Sequence, residues 1–271
     1  INIRQTPEVL KRGLVLLVAK FLAGFIPALV VGKMFGPAGV LGLTPLVLLG
    51  SISNSNGSLY LGLMGEYGDE IDAGAMSILG INDGPFLTLL GMGIGGLANI
   101  PLMALVATVV PVILGIVLGN LDVDVQKLLE PGGVMLIPFV GFALGAGLNF
   151  KTIVSGGISG LILGLLTVVI SGLFCILADR TVLKRPGYAG AAVASSAGNS
   201  VATPAAVAMV DPSWQPYVAQ ATAAAGASVV ITAILVPILT TWAAKHFGSA
   251  KDLTPKGGSP RIEEQPRQAT A

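Results

Sequence analysis

Apolar residues run in long stretches along this chain, and polar residues fall mostly between them. Eight such segments stand out, at about 13–32, 39–65, 73–97, 103–119, 133–149, 153–178, 187–210 and 219–246. Each is long enough to cross roughly 30 Å of hydrocarbon as helix. Pro27, Pro45, Pro85, Pro111, Pro138, Pro204 and Pro237 lie within or at the ends of these segments. Such prolines argue against soluble helices, whereas in a membrane neighbouring helices re-satisfy the freed backbone groups. The pattern predicts an all-α integral membrane protein with eight spans.

Two segments depart from their own pattern. Between GVLGLTPLVLLG (39–50) and LYLGLM (59–64) stands the polar run SISNSNGSLY (51–60). The whole segment would reach about 40 Å as helix, and neither apolar half spans alone. Ser and Asn compete for backbone hydrogen bonds, and glycine weakens helix further, so an unwound centre is expected. Segment 187–210 repeats the arrangement as GYAGAAVA, SSAGNSVATP and AAVAMV, with Pro204 suited to the first turn of a second half-helix. Two interrupted segments in corresponding places point to the binding site of a secondary transporter. Half-helix N-termini there suit an anion, and exposed carbonyls suit a cation or a proton carrier.

The correspondence extends outward. INIRQTPEVLKRGLVLLVAKFLAG (1–24) is similar to LNFKTIVSGGISGLILGLLTVV (148–169), and each leads into a span, an interrupted segment and a full span. Two spans precede the second copy. By symmetry two would precede Ile1, giving a ten-span protein of five plus five with the copies inverted. The domain reading is one transporter unit over 1–247, with 1–97 the end of the first repeat and 103–247 the second. The polar stretch 248–271 reads as a disordered cytoplasmic tail.

Charge sets the orientation. With eight spans, Arg4, Lys11, Arg12, Lys127, Arg180, Lys184, Arg185 and Lys245 fall on one side, and only Lys33 and Lys151 on the other. The bias places both ends in the cytoplasm. Trp214, Tyr217 and Trp242 fit interfacial anchors.

Composition agrees with a membrane protein. Hydrophobic residues make up 53% and charged residues 11%, against roughly 25% charge in soluble domains. A net charge of +1 offers no basic surface for nucleic acid. The single cysteine, Cys175, and the single histidine, His246, exclude a metal cluster and a Cys/His catalytic pair. An intramembrane enzyme would lack a histidine base, so neither enzyme nor cofactor is expected. GMGIGG (91–96) matches a dinucleotide pattern but has no preceding strand. Close helix packing is the better reading of it, as of GIVLG (115–119) and GFALG (141–145).

Few charges fall deep within the spans. Asp83 can lie beside Asn54 and Asn56, with Asn82 as a polar partner. Intramembrane charge is costly and marks function. Asp83 there would carry a proton, bind sodium among the Asn and Ser oxygens, or cap the break structurally. Lys20, about 12 Å beyond Arg12 by helix rise, would meet an anionic substrate, pair with Asp83, or snorkel to the inner surface.

Several stretches together resemble the 2-keto-3-deoxygluconate permeases: SNSNGSLYLGLMGEYGDE (53–70), NDGPFLTLL (82–90), GIVLGNLD (115–122), LIPFVGFALGAGLNFKTI (136–153) and SSAGNSVATPAAVA (195–208). The resemblance covers nearly all of 1–247. It implies a bacterial plasma-membrane symporter that imports a sugar-acid anion with protons. It also implies a fold similar to bile-acid sodium symporters and sodium/proton antiporters, in which two discontinuous helices cross at mid-membrane. The expected pocket comprises Asn54, Ser55, Asn56 and Ser58 from one break, Ser195, Ser196, Asn199, Ser200 and Thr203 from the other, and Asn82 and Asp83. Lys20 is a possible counter-charge to the substrate. Sodium-driven uptake of another organic anion and a passive channel are the rival readings.

Overall fold

The computed structural model describes residues 7–146 and 157–253. Among them every regular element is a helix, apart from one isolated bridge between Val40 and Leu43. In chain order these are α1 (Pro7–Phe35), α2 (Pro45–Ile52), α3 (Gly57–Tyr67), α4 (Glu70–Leu79), α5 (Phe86–Ile94), α6 (Leu102–Leu121) and α7 (Val123–Ala146). There follow α8 (Gly157–Thr181), α9 (Tyr188–Ala192), α10 (Thr203–Val210), α11 (Val218–Phe247) and α12 (Ala250–Leu253).

The long helices are turned inside out relative to those of a soluble protein. On α1 the exposed large side chains Leu10, Leu14, Val18, Leu22, Ile26, Val30 and Met34 recur every four residues, with Phe35 beside them at the helix end. The opposite face buries Gly13, Leu16, Lys20, Ala23 and Gly24. Exposed Leu161, Leu165, Val169, Leu173 and Leu177 on α8, and Val230, Ile234, Ile238 and Trp242 on α11, follow the same spacing. Apolar bulk outward and small residues inward is the pattern of helices with lipid on one side and closely packed neighbours on the other.

Two close approaches fix how the helices meet. A Cβ on Gly24 of α1 would lie 2.7 Å from the backbone nitrogen of Ser53, at the end of α2. A Cβ on Gly190 of α9 would lie 2.3 Å from the carbonyl oxygen of Cys175 on α8. Helices α1, α2, α4, α8, α9 and α11 pack into one body, whereas α6 buries none of its described residues and touches chiefly α5 and α7.

Among the described residues four helical stretches are long and apolar enough to cross a membrane, namely α1, α6, α8 and Pro212–Asp252, which contains α11. The bent pair Glu70–Asn82 and Phe86–Ile94 makes a fifth, with a 57° bend. The segments 39–65 and 187–210 enter as pairs of half-helices. Segment 73–97 was expected to be one uninterrupted span, and here the structure differs. Gly84 adopts φ +90°, and Pro85 has no N–H to continue a helix, so the chain turns at 83–85.

Other expectations are also corrected. Nothing lies within 4 Å of a Cβ built on Gly115 or Gly119, so GIVLG mediates no packing among the described residues. Gly91, by contrast, faces Leu49, Phe21 and Phe25, as a packing glycine would. Trp214 is 2% exposed and turns into the protein instead of anchoring at an interface. Residues 250–253, assigned to the tail, form a helical turn in which Ser249 and Asp252 bond each other's backbone N–H groups. The sequences 1–6, LNFK (148–151) and the tail beyond 253 lie outside the described residues.

Candidate functional site

The first break forms because α2 runs out of helix-compatible bonding. Thr44 caps its start with Pro45 in the first turn, and the Ser53 hydroxyl folds back onto the Leu49 carbonyl at 2.7 Å. Asn56 then starts a new helix, its side chain accepting the Leu59 N–H at 3.0 Å. The unwound centre is therefore only Ser53–Asn56, narrower than the polar run that announced it. The second break runs from the end of α9 through a 3-10 turn, Gly198–Val201, into α10, where Pro204 occupies the first turn.

The two breaks touch. The Asn54 side-chain amide donates to Asn199 Oδ1 at 2.5 Å, and the Asn56 backbone N–H donates to Ser195 Oγ at 2.9 Å. Asn199 in turn donates to Asp83 Oδ1 at 3.3 Å. Asn82 braces the first break from beside it, donating to the Ser53 carbonyl at 3.2 Å and to Ser55 Oγ at 2.9 Å. Asn54, Ser55, Asn82 and Ser195 are buried, Asn56 and Asn199 half-buried, and Asp83 exposed. The crossing thus has a sealed interior and an accessible rim of Asn56, Asp83 and Asn199. Helix α7 lies against the Gly198–Val201 turn of that rim. The Asn54 Oδ1 atom is buried without a partner among the described residues.

Lys20 enters this site from α1. It is fully buried, and its ammonium donates to the Ser195 carbonyl at 2.7 Å and to Ser171 Oγ at 2.9 Å. It therefore neither snorkels to the surface nor pairs with Asp83. The remaining expected residues stand back from the contact. Ser196 and Ser200 bond each other at 3.2 Å, Thr203 bonds back to the Asn199 carbonyl at 3.3 Å, and Ser58 is exposed on the first turn of α3.

A second polar cluster lies at the end of the bundle that carries the start of α4 and α9. Asp72 is 0% exposed and accepts from Arg12 at 2.8 Å, Arg185 at 2.6 Å and the Tyr188 hydroxyl at 2.6 Å. Asp69 takes a second bond from Arg12 at 2.8 Å, and the Asp69–Asp72 pair forms the capping box of α4. Asp179 of α8 accepts the Gly190 N–H at 3.2 Å. This cluster fastens α1 and α4 to α8 and α9 at one end, as the crossing does in the middle.

The model of the family described as 2-keto-3-deoxygluconate permease matches residues 1–249. The chain belongs to that family. It is 48% identical over 245 residues to 2-keto-3-deoxygluconate permease 1 of Salmonella typhimurium, covering 90% of this chain and 77% of the relative. It is 35% identical over 260 residues to the permease of Bacillus subtilis (94% and 79%) and 39% identical over 245 to that of Xanthomonas oryzae (89% and 77%). No solved structure matches it significantly. Membership places the chain among multi-pass membrane transport proteins and not among enzymes.

Three residues of the crossing were not foreseen. Ser171 lies in a π-helical turn, Thr167–Ser171, that carries its hydroxyl to within 3.3 Å of the Ile52 carbonyl. Thr232 on α11 accepts the Ser196 N–H at 3.0 Å. Ser53 offers its carbonyl to Asn82. A serine next to glycine in VVISGLF (168–174) was the available signal for Ser171, but no residue pattern announces a π turn.

Proposed function

We propose that the chain is a secondary active transporter that takes up 2-keto-3-deoxygluconate or a closely related sugar acid together with protons. The observation that carries this reading is the meeting of two helix breaks through Asn54 and Asn199, with Asp83 at the edge of the contact. Amides and hydroxyls on the rim suit a polyhydroxylated ligand. The N-termini of α3 and α10 face the breaks and favour its carboxylate. Asp83, the accessible carboxylate, is the proton carrier in this scheme, and the sites of Asn54, Ser55, Asn56, Ser58, Asn82, Ser195, Ser196, Asn199, Ser200 and Thr203 shape the pocket directly or from behind.

The same reading makes residues 1–97 the end of the first repeat and 103–247 the second, inverted repeat, with the inner bacterial membrane as location and the Arg12–Asp72–Arg185 end in the cytoplasm. The relatives' printed names support the substrate, and the broken pairs support the architecture.

Uptake of radiolabelled sugar acid into proteoliposomes tests it. An imposed proton gradient should drive accumulation, and Asp83→Asn should abolish uphill uptake while leaving exchange. Accumulation driven by sodium alone would favour a sodium symporter. Uptake that only equilibrates, insensitive to uncouplers, would favour a channel.

A further inference from the structure

Lys20 is the largest charged side chain removed from solvent, and it is paired with oxygens of no formal charge. The Ser195 carbonyl and the Ser171 hydroxyl accept from its ammonium, and the same hydroxyl donates to the Ile52 carbonyl at 3.3 Å. Among the described residues no carboxylate oxygen lies within 4 Å of it; the titratable group that faces it is the Cys175 thiol on α8, and Asp83 is engaged by Asn199 instead. Burying an ammonium without a counter-ion is strongly unfavourable unless fixed dipoles replace the water.

The crossing supplies those dipoles. Helix α2 ends at Ile52, whose carbonyl accepts from the Ser171 hydroxyl, and the Ser195 carbonyl lies three residues past the end of α9 at Ala192. The C-terminal end of a helix carries partial negative charge and attracts a cation. Neutral carbonyl and hydroxyl oxygens converging on one positive charge are also what a hard cation such as sodium selects. Lys20 fills that position from a third helix, α1, and so brings its ammonium group to the meeting point of the two breaks.

We propose that the Lys20 ammonium is the resident cation of the crossing, held in an oxygen seat formed by Ser195, Ser171 and the end of α2 that would otherwise bind a sodium ion, and that it thereby frees transport from sodium. The proposal rests on the reading of the crossing as the transport site. It assigns the selection of the coupling ion to Lys20 and separates that role from proton carriage at Asp83. It also removes Lys20 from the surface that contacts substrate.

Lys20→Ser tests this, because the short side chain vacates the seat and leaves the accepting oxygens in place. Purified Lys20→Ser protein should melt higher in sodium chloride than in potassium or choline chloride of equal ionic strength. At sodium about a hundredfold above its dissociation constant the rise should be on the order of 5–10 °C. The unmodified protein should show no such difference. In proteoliposomes the variant should lose at least about tenfold of its sugar-acid uptake without sodium and recover much of it with sodium. Lys20→Met, which fills the space with an apolar chain, should be inactive and not be rescued.

Purification of Lys20→Ser in a folded state only when sodium is present would equally support the seat. Sodium-insensitive melting of Lys20→Ser, failure to fold in either salt, or sodium-independent uptake by either variant would overturn it. If the unmodified protein transports no sugar acid, the functional reading fails, yet the sodium-dependent melting still decides the seat.

Discussion

Asp72 is the residue whose loss the structure lets us work out most fully. Its carboxylate receives two guanidinium groups and a phenol, and it also accepts the Asp69 N–H at 3.2 Å. Replacing it with alanine leaves Arg12 with Asp69 at 2.8 Å, but leaves Arg185, whose side chain is only 11% exposed, with no described carboxylate nearer than Asp179 at 3.6 Å. Removing one partner of a buried ion pair costs about 3–5 kcal/mol, because the remaining charge stays desolvated. At roughly 2–4 °C per kcal/mol for a chain of this size, the expected fall in melting temperature is roughly 6–20 °C.

The molecule carries its own reporter for this measurement. Cys175 is the single cysteine and is 0% exposed, so a thiol-reactive fluorogenic maleimide reads unfolding from the core outward. Asp72→Asn, which keeps an acceptor but loses the charge, should fall between the two. The stranded charge also predicts a non-additive cycle: Arg185→Met introduced into Asp72→Ala should recover part of the loss. A melting temperature for Asp72→Ala within about 2 °C of the unmodified protein would refute the reasoning, since it would mean that water reaches the cluster. Full additivity with Arg185→Met would refute it as well.

Other substitutions test other parts of the account by the same melting assay. Gly190→Ala should destabilise by about 1–3 kcal/mol or more, because the new Cβ meets the Cys175 backbone, which no rotamer change can move; Gly62→Ala, with nothing within 4 Å, is the neutral-to-stabilising control. Ser195→Ala leaves the Asn56 N–H without its acceptor and should cost about 1–3 kcal/mol. The Asp211 carboxylate is held below the usual range by the Ser213 hydroxyl and the Asn99 N–H. Its contribution is present above its unfolded value and is lost as pH falls from about 4, so Asp211→Asn should show a shallower acid-side decline in melting temperature.

How far the sequence carried the argument can be judged residue by residue. The two polar interruptions were legible because serine, asparagine and glycine are out of place in hydrocarbon, and both breaks lie where those residues cluster. The turn at Asp83–Pro85 was less legible. Pro85 was in view, but prolines recur throughout the spans, and α1 and α11 run straight through Pro27 and Pro237. What distinguishes Pro85 is the preceding Gly84 at positive φ, a backbone state that glycine permits without announcing. The Asp72 cluster was hidden for a different reason. Arg12, Asp69, Asp72 and Arg185 each flank a span, where charge is ordinary, and only the fold brings residues 113 positions apart into one ion pair. Lys20 was singled out for its depth, but its partners are a backbone carbonyl and a serine in a π turn, neither of which has a sequence signature.

The breaks themselves are stable for a reason that links these observations. An interrupted helix in a membrane leaves N–H and C=O groups that lipid cannot satisfy, each at a cost of several kcal/mol. Here those groups are answered one by one from outside their own segment. Ser195 Oγ takes the Asn56 N–H, Lys20 takes the Ser195 carbonyl, Ser171 takes the Ile52 carbonyl, Asn82 takes the Ser53 carbonyl, and Thr232 takes the Ser196 N–H. Three of these five bonds join residues on opposite sides of the undescribed stretch 147–156, and a further bond, from Lys20 of α1 to Ser171, does the same. Neither broken segment can therefore complete its backbone bonding within its own half of the chain. The polar centre exists only where the halves meet, so the contact that satisfies the backbone is also the one that builds the candidate site. On the proposed function, a mutation that pulls the halves apart should in consequence lose folding and binding together, whereas a change confined to the exposed rim at Asp83 should alter transport with the crossing intact.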